Sequence, residues 1–122
     1  MKITKKNFGN DEILATIPHR YPFLLLDQIL VLIKNKYIKV IRLIKENDFF
    51  LVGHFPNYPV LPGIYIIEMM AQAGCFLLLK SQKKISSEDF YCLSSVERCS
   101  FRSFVFPKQK IFVEVFLKKK IL

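Results

Sequence analysis

The stretch "GHFPNYPVLPGIYIIEMMAQAG", Gly53 to Gly74, sets a histidine, three prolines at a spacing of three and a single glutamate inside a run that is otherwise apolar. Proline holds the backbone near one φ value and lowers the entropy cost of keeping a loop in one shape. Pro56, Pro59 and Pro62 therefore predict a stiff loop that presents His54. Residues 64–80 read as one long helix, apolar nearly all round and so expected to be buried on most faces. Within it, Glu68 and Gln72 stand four residues apart and share a face.

A carboxylate in apolar surroundings is costly unless it is paired or functional. Burial favours its protonated form, which makes Glu68 a candidate general acid. Imidazole exchanges a proton near neutral pH, which makes His54 a candidate base. Gly63 opens the helix, and a glycine there lets a ligand approach the backbone closely. The free N–H groups and the positive dipole end of the first turn can hold a developing oxyanion. A base, an acid and an oxyanion site suit removal of a proton α to a carbonyl with loss of a β leaving group, as in dehydration of a β-hydroxy thioester. The residues alone leave other readings open: a structural ion pair at Glu68, a non-catalytic histidine, or a polyproline ligand in the P-x-x-P-x-x-P spacing.

Outward from this stretch, residues 10–17 predict a short helix capped by Asn10 or Asp11, with Ile13, Leu14 and Ile17 as its apolar stripe and Pro18 as its stop. "HRYPF" reads as a turn. Residues 24–46 read as two strands joined at "KNK". After the helix, residues 81–89 form a polar connection, "FYCLSSVERCSFR" (90–102) reads as a strand bent at "SS", and residues 109–120 alternate as a final strand. One buried helix with four or five strands is an α+β class.

The 122 residues suit one domain. The opening is polar, so no signal peptide is expected, and the apolar run is too short for a confident membrane span. Two histidines and three scattered cysteines offer no metal spacing, and no phosphate loop or dinucleotide fingerprint implies a cofactor. The odd cysteine count reads as reduced and mostly structural. Of the net charge of +9, fifteen lysines outweigh four arginines. That balance, without a nucleic-acid motif, argues against nucleic acid and leaves an acidic protein as partner.

At these residues the chain resembles the β-hydroxyacyl-acyl carrier protein dehydratases of the FabZ type. The central stretch looks like their signature, "IPHRYPFLLLDQI" (Ile17 to Ile29) like their N-terminal motif and "FRSFVFP" (Phe101 to Pro107) like their later one. The likeness runs from about residue 10 to about residue 117. It implies a hot-dog fold over 1–122, in which a curved antiparallel sheet wraps one long central helix. It implies that His54 takes the α proton and Glu68 protonates the leaving hydroxyl, with each site shared across a dimer interface. The Gly63 N–H would hold the thioester carbonyl and Gln72 would support Glu68. A sister type that also isomerises carries aspartate at the position of Glu68, which favours plain dehydration here. The likeness further implies acyl carrier protein as partner, a homodimer or higher assembly up to a hexamer, no cofactor, a cytoplasmic location and a place in fatty acid elongation. His19 is read as structural and Tyr91 as a tunnel-gating aromatic. Lys80, Lys83, Lys84, Arg98, Arg102 and Lys108 are the expected contacts to the carrier.

Three departures from the family pattern bear on this. Lys108-Gln109 replaces Gly-Asp and is expected to alter the turn into the last strand. Met69-Met70 is expected to reshape the acyl tunnel. The chain ends at Leu122, where the family is expected to continue for about two more strands. That ending keeps an alternative in view, a non-catalytic relative that binds acyl carrier protein or a full-length partner. A hot-dog thioesterase fits the signature less well.

Overall fold

Asn35 sits at φ 65°, in the left-handed region that asparagine tolerates better than most residues. It forms the tip of the "KNK" turn, closed by the Lys36 N–H on the Ile33 carbonyl at 3.0 Å. The turn joins strands β1 (Gln28–Ile33) and β2 (Tyr37–Leu43), which pair antiparallel with a bulge between Ile29 and Val31. This computed structural model describes residues 7–83 and 89–118. Around the hairpin stand a short helix α1 (Asn10–Thr16), the long helix α2 (Gly63–Ser81) and a third strand β3 (Lys110–Phe116).

The strands form one antiparallel sheet in the order β1-β2-β3. The alternation expected of the last strand holds. Ile111, Val113 and Val115 turn toward the core, while Phe112 and Phe116 face out. On β2 the inward set is Ile38, Val40 and Arg42. α2 packs across this inner face and buries Met69, Gln72, Ala73, Cys75, Phe76, Leu77 and Leu79. α1 adds Ile13 and Ile17 to the same core, and a bridge from Phe8 to Ile29 covers the outer side of β1. One helix on an antiparallel sheet is the α+β arrangement that the resemblance implies.

Several expectations are corrected. The N-cap of α1 is Gly9, not Asn10 or Asp11, and no side chain caps it. Asp11 and Glu12 instead lie in the first turn, where acidic groups suit the helix dipole. The first strand begins at Gln28, because residues 17–27 form the turn and an extended lead-in. The strand expected over 90–102 is absent. β3 occupies the free side of β2, and residues 90–102 run as irregular chain that pairs with neither β3 nor any other described strand, so Phe90, Leu93, Val96 and Phe101 are exposed. The sheet therefore has three described strands rather than four or five. Cys75 is buried, but Cys92 and Cys99 are exposed and free rather than structural.

α2 is also less buried than its composition predicts. Its first half turns Ile64 and Met70 outward, at 69% and 45% exposure. It is long and apolar enough to cross a membrane by length and composition, yet its second half packs into the core. The turn at Lys108 has a left-handed backbone of the kind that favours glycine. Lys108 has φ 73°, and its N–H meets the Ile44 carbonyl at 2.6 Å. Gln109 closes the turn from the other side, its Oε1 accepting from the Phe106 N–H at 2.8 Å. A glycine, which the resemblance implies at this position, would hold this backbone without strain, and here a lysine holds it.

Candidate active site

His54 is held by the backbone on which its loop folds. Its N–H donates to the Leu51 carbonyl at 3.2 Å, and its carbonyl accepts from the Val60 N–H at 2.9 Å. Its ring Nδ1 lies 2.9 Å from the Val60 carbonyl. A carbonyl only accepts, so Nδ1 carries the ring proton and Nε2 of the neutral ring keeps a free lone pair. The ring stacks on Phe55 with centroids 4.3 Å apart. One backbone hydrogen bond from the loop to the later motif, Leu61 N–H to the Val105 carbonyl at 2.8 Å, ties the segments that flank the site.

The loop runs into α2 through Pro62, its N-cap. Gly63 is the first helical residue, so its N–H has no acceptor within the helix. A cavity of about 470 Å³ brings together His54, Gly63, Ile64, Phe101 and Phe104. The ring of Phe101 lies against Gly63, and a Cβ there would come within 2.7 Å of it. The histidine and the helix N-terminus are therefore joined in one space, as expected.

Glu68 stands elsewhere. It does not line that cavity, and among the described residues no hydrogen bond or ion pair joins it to His54. Its side chain is 26% exposed, so the chain alone does not bury it as expected. Its Oε2 accepts from Gln72 Nε2 at 3.0 Å. Gln72 is fully buried. Its Oε1 accepts from the Leu25 N–H at 2.9 Å, and its Nε2 also donates to the Phe23 carbonyl at 2.8 Å. These two backbone groups have opposite demands, so the amide cannot turn over, and its second hydrogen must face Glu68. Gln72 is thus held in one orientation with its amide hydrogen on Glu68.

His19 is a third member of this cluster, with Nε2 3.9 Å from Glu68 Oε2. Its expected structural role omits that contact. The motif "IPHRYPF" carried the only signal, since it places His19 a few residues before the backbone that Gln72 grips. Phe101 belongs to the later motif, which by itself does not mark it as a wall of the His54 cavity.

Tyr91 lies at the far end of α2, hydrogen-bonded by Gln82, and does not line the His54 cavity. Of the expected carrier contacts, Lys80 is engaged with Glu12 and covers the rings of Phe8 and Phe76. Lys108 pairs with Glu46 at 3.2 Å on the surface. Arg98 and Arg102 line a shallow space of about 350 Å³ beside Ile66, Ile67 and Met70. Lys83 is exposed, and Lys84 lies outside the described residues. A larger groove of about 600 Å³, between α1 and the start of β1, holds neither His54 nor Glu68. Among the described residues no group of three or more histidine, cysteine and carboxylate side chains is placed to hold a metal.

A family model for the FabA-like domain matches residues 17–121. The chain belongs to the FabA-like family. Within it the likeness is to the FabZ type. A 3-hydroxyacyl-[acyl-carrier-protein] dehydratase FabZ of Vibrio vulnificus is 39% identical over 121 residues, 98% of this chain and 81% of that protein. The protein of the same name from Erwinia tasmaniensis is 37% identical over 109 residues, 89% of this chain and 72% of that protein. That of Blochmanniella floridana is 36% identical over 111 residues, covering 90% and 74%. The long helix α2 on an antiparallel sheet is thus the hot-dog fold of this family.

Proposed function

We propose that the chain dehydrates β-hydroxyacyl groups carried on acyl carrier protein to trans-2-enoyl groups, as a cytoplasmic enzyme of fatty acid elongation. The observation that carries the reading is the orientation of His54. The Val60 carbonyl holds the proton on Nδ1 and leaves Nε2 as the base, in a cavity shared with the helix N-terminus at Gly63. The FabZ names of the relatives supply the substrate class.

In this mechanism His54 Nε2 removes a proton from the α carbon while the Gly63 N–H holds the thioester oxygen, where negative charge collects. The electron pair then forms the α–β double bond as the β C–O bond breaks, and Glu68 gives its proton to the departing hydroxide, which leaves as water. His54 and Glu68 are not joined within one chain, which supports a site completed by a second copy, with Glu68 supplied by the partner.

A hydration–dehydration assay on purified protein with β-hydroxyacyl-acyl carrier protein tests the proposal. Turnover in wild type that is lost in both His54→Ala and Glu68→Gln is the expected result. Binding of the carrier without turnover would favour the non-catalytic alternative.

A further inference from the structure

Two donors converge on one oxygen of Glu68. Gln72 Nε2 reaches Oε2 at 3.0 Å and His19 Nε2 stands 3.9 Å from the same atom. Among the described residues Oε1 accepts no hydrogen bond. The convergence is built by the turn before β1. Arg20 spends its guanidinium on three carbonyls, those of Leu14 at 2.8 Å, Ile17 at 2.9 Å and His19 at 2.7 Å. That clamp fixes the backbone of His19 against the end of α1. A few residues later Gln72 grips the same turn at Phe23 and Leu25. Both ends of the turn are therefore anchored, and the His19 ring is delivered to α2 between them.

The state of the ring follows from its surroundings. Nδ1 is buried without a partner. A buried N–H left without an acceptor is rarer and costlier than a buried lone pair, so the ring hydrogen belongs on Nε2, toward Glu68. Burial holds the imidazole below its ordinary pKa of 6.5, Glu68 pulls it up and Arg20 pushes it further down. The ring is thus a neutral donor near neutral pH. At 3.9 Å its contact with Oε2 is electrostatic rather than a formed hydrogen bond.

We propose that His19 is a positioning residue which, with Gln72, reserves Oε2 as the acceptor oxygen of Glu68 and so assigns the transferable proton to Oε1. This rests on the reading of Glu68 as the acid. The Gln72 hydrogen bond and the nearby His19 N–H dipole both favour an unprotonated Oε2, and Oε1 is the oxygen left to face a substrate hydroxyl.

The test compares His19→Leu, which removes the donor, with His19→Gln, whose amide places a donor near the position of Nε2. Glu68→Gln is assayed beside them, and melting temperature is followed throughout. His19→Leu should lower kcat by about tenfold, with KM changed less than about twofold, since the contact matters where the proton moves. His19→Gln should recover most of that loss. An inactive Glu68→Gln beside a fully active His19→Leu would overturn the role of His19 alone. Equal losses in His19→Leu and His19→Gln, tracking a fall in melting temperature, would also overturn it, because a structural role predicts that pattern. An active Glu68→Gln would overturn the acid assignment and this proposal together.

Discussion

The ring of Phe101 lies where a side chain on Gly63 would have to go, 2.7 Å from the position of its Cβ. The close atoms are the far edge of a ring that is 54% exposed, so the ring can swing away at little cost. Gly63→Ala should therefore fold with a melting temperature within a few degrees of wild type, yet lose about tenfold or more in kcat/KM as the oxyanion site is reshaped. Adding Phe101→Ala should remove the steric part of that loss. A double-mutant cycle in kcat/KM reads the coupling, and strict additivity would show that the two residues act apart.

Catalysis should be shared between chains. His54→Ala and Glu68→Gln are each expected to lose about a hundredfold or more in rate. Mixing the two inactive proteins under conditions of subunit exchange should restore part of the activity, because one mixed site keeps both groups. Mixed dimers that stay inactive would sink the shared site.

Lys108 holds a left-handed backbone at φ 73°. A side chain there costs about 1 kcal/mol that glycine does not incur. The exposed pair with Glu46 offers little in return. Lys108→Gly should raise the melting temperature by a few degrees without changing kcat, and a fall would mean that the ion pair outweighs the strain.

Arg42 carries a charge into the inner face of β2, 7% exposed. Asp48 meets it at 2.9 Å and Asp27 at 3.5 Å, and the second oxygen of Asp48 also accepts from the Lys45 N–H at 2.8 Å. Asp48→Ala removes the nearer partner and the turn contact together, and should cost about 3 kcal/mol in denaturant unfolding. A loss below about 1 kcal/mol would show that Asp27 suffices to hold the guanidinium.

His19 should make stability depend on pH. Its folded pKa is depressed by burial, so below about 6.5 the unfolded chain binds the proton more readily than the folded one. Stability should therefore fall as pH drops from 7 toward 5.5, and His19→Gln should show a shallower fall. Equal slopes for the two proteins in thermal melts would count against the burial of this ring as the cause.

How far the sequence could carry these conclusions varied with the range of the interactions. The hairpin at "KNK", the long helix and the alternation of β3 follow from local pattern, and all three are present. The strand expected over 90–102 has the right residues but no partner, and pairing is a property of two segments that one segment cannot announce. The lesser burial of α2 has the same origin, since composition reports that a helix is apolar and not which of its turns are covered. At the site, His54 and Gly63 are adjacent along one loop and were legible together. His19 and Gln72 are far apart in sequence, and their meeting at Glu68 depends on how the turn after α1 is anchored.

The fixed amide of Gln72 has an analytical consequence. Its Oε1 holds the Leu25 N–H while its Nε2 holds Glu68, so one rigid group links a backbone proton to that carboxyl through two hydrogen bonds. When the carboxyl gains or gives up its proton, the polarisation of the amide changes, and the Leu25 proton lies at the other end of it. The nitrogen–hydrogen resonance of Leu25 is thus a native spectroscopic reporter for the Glu68 carboxyl. It can be followed during titration or ligand addition with no label placed in the site.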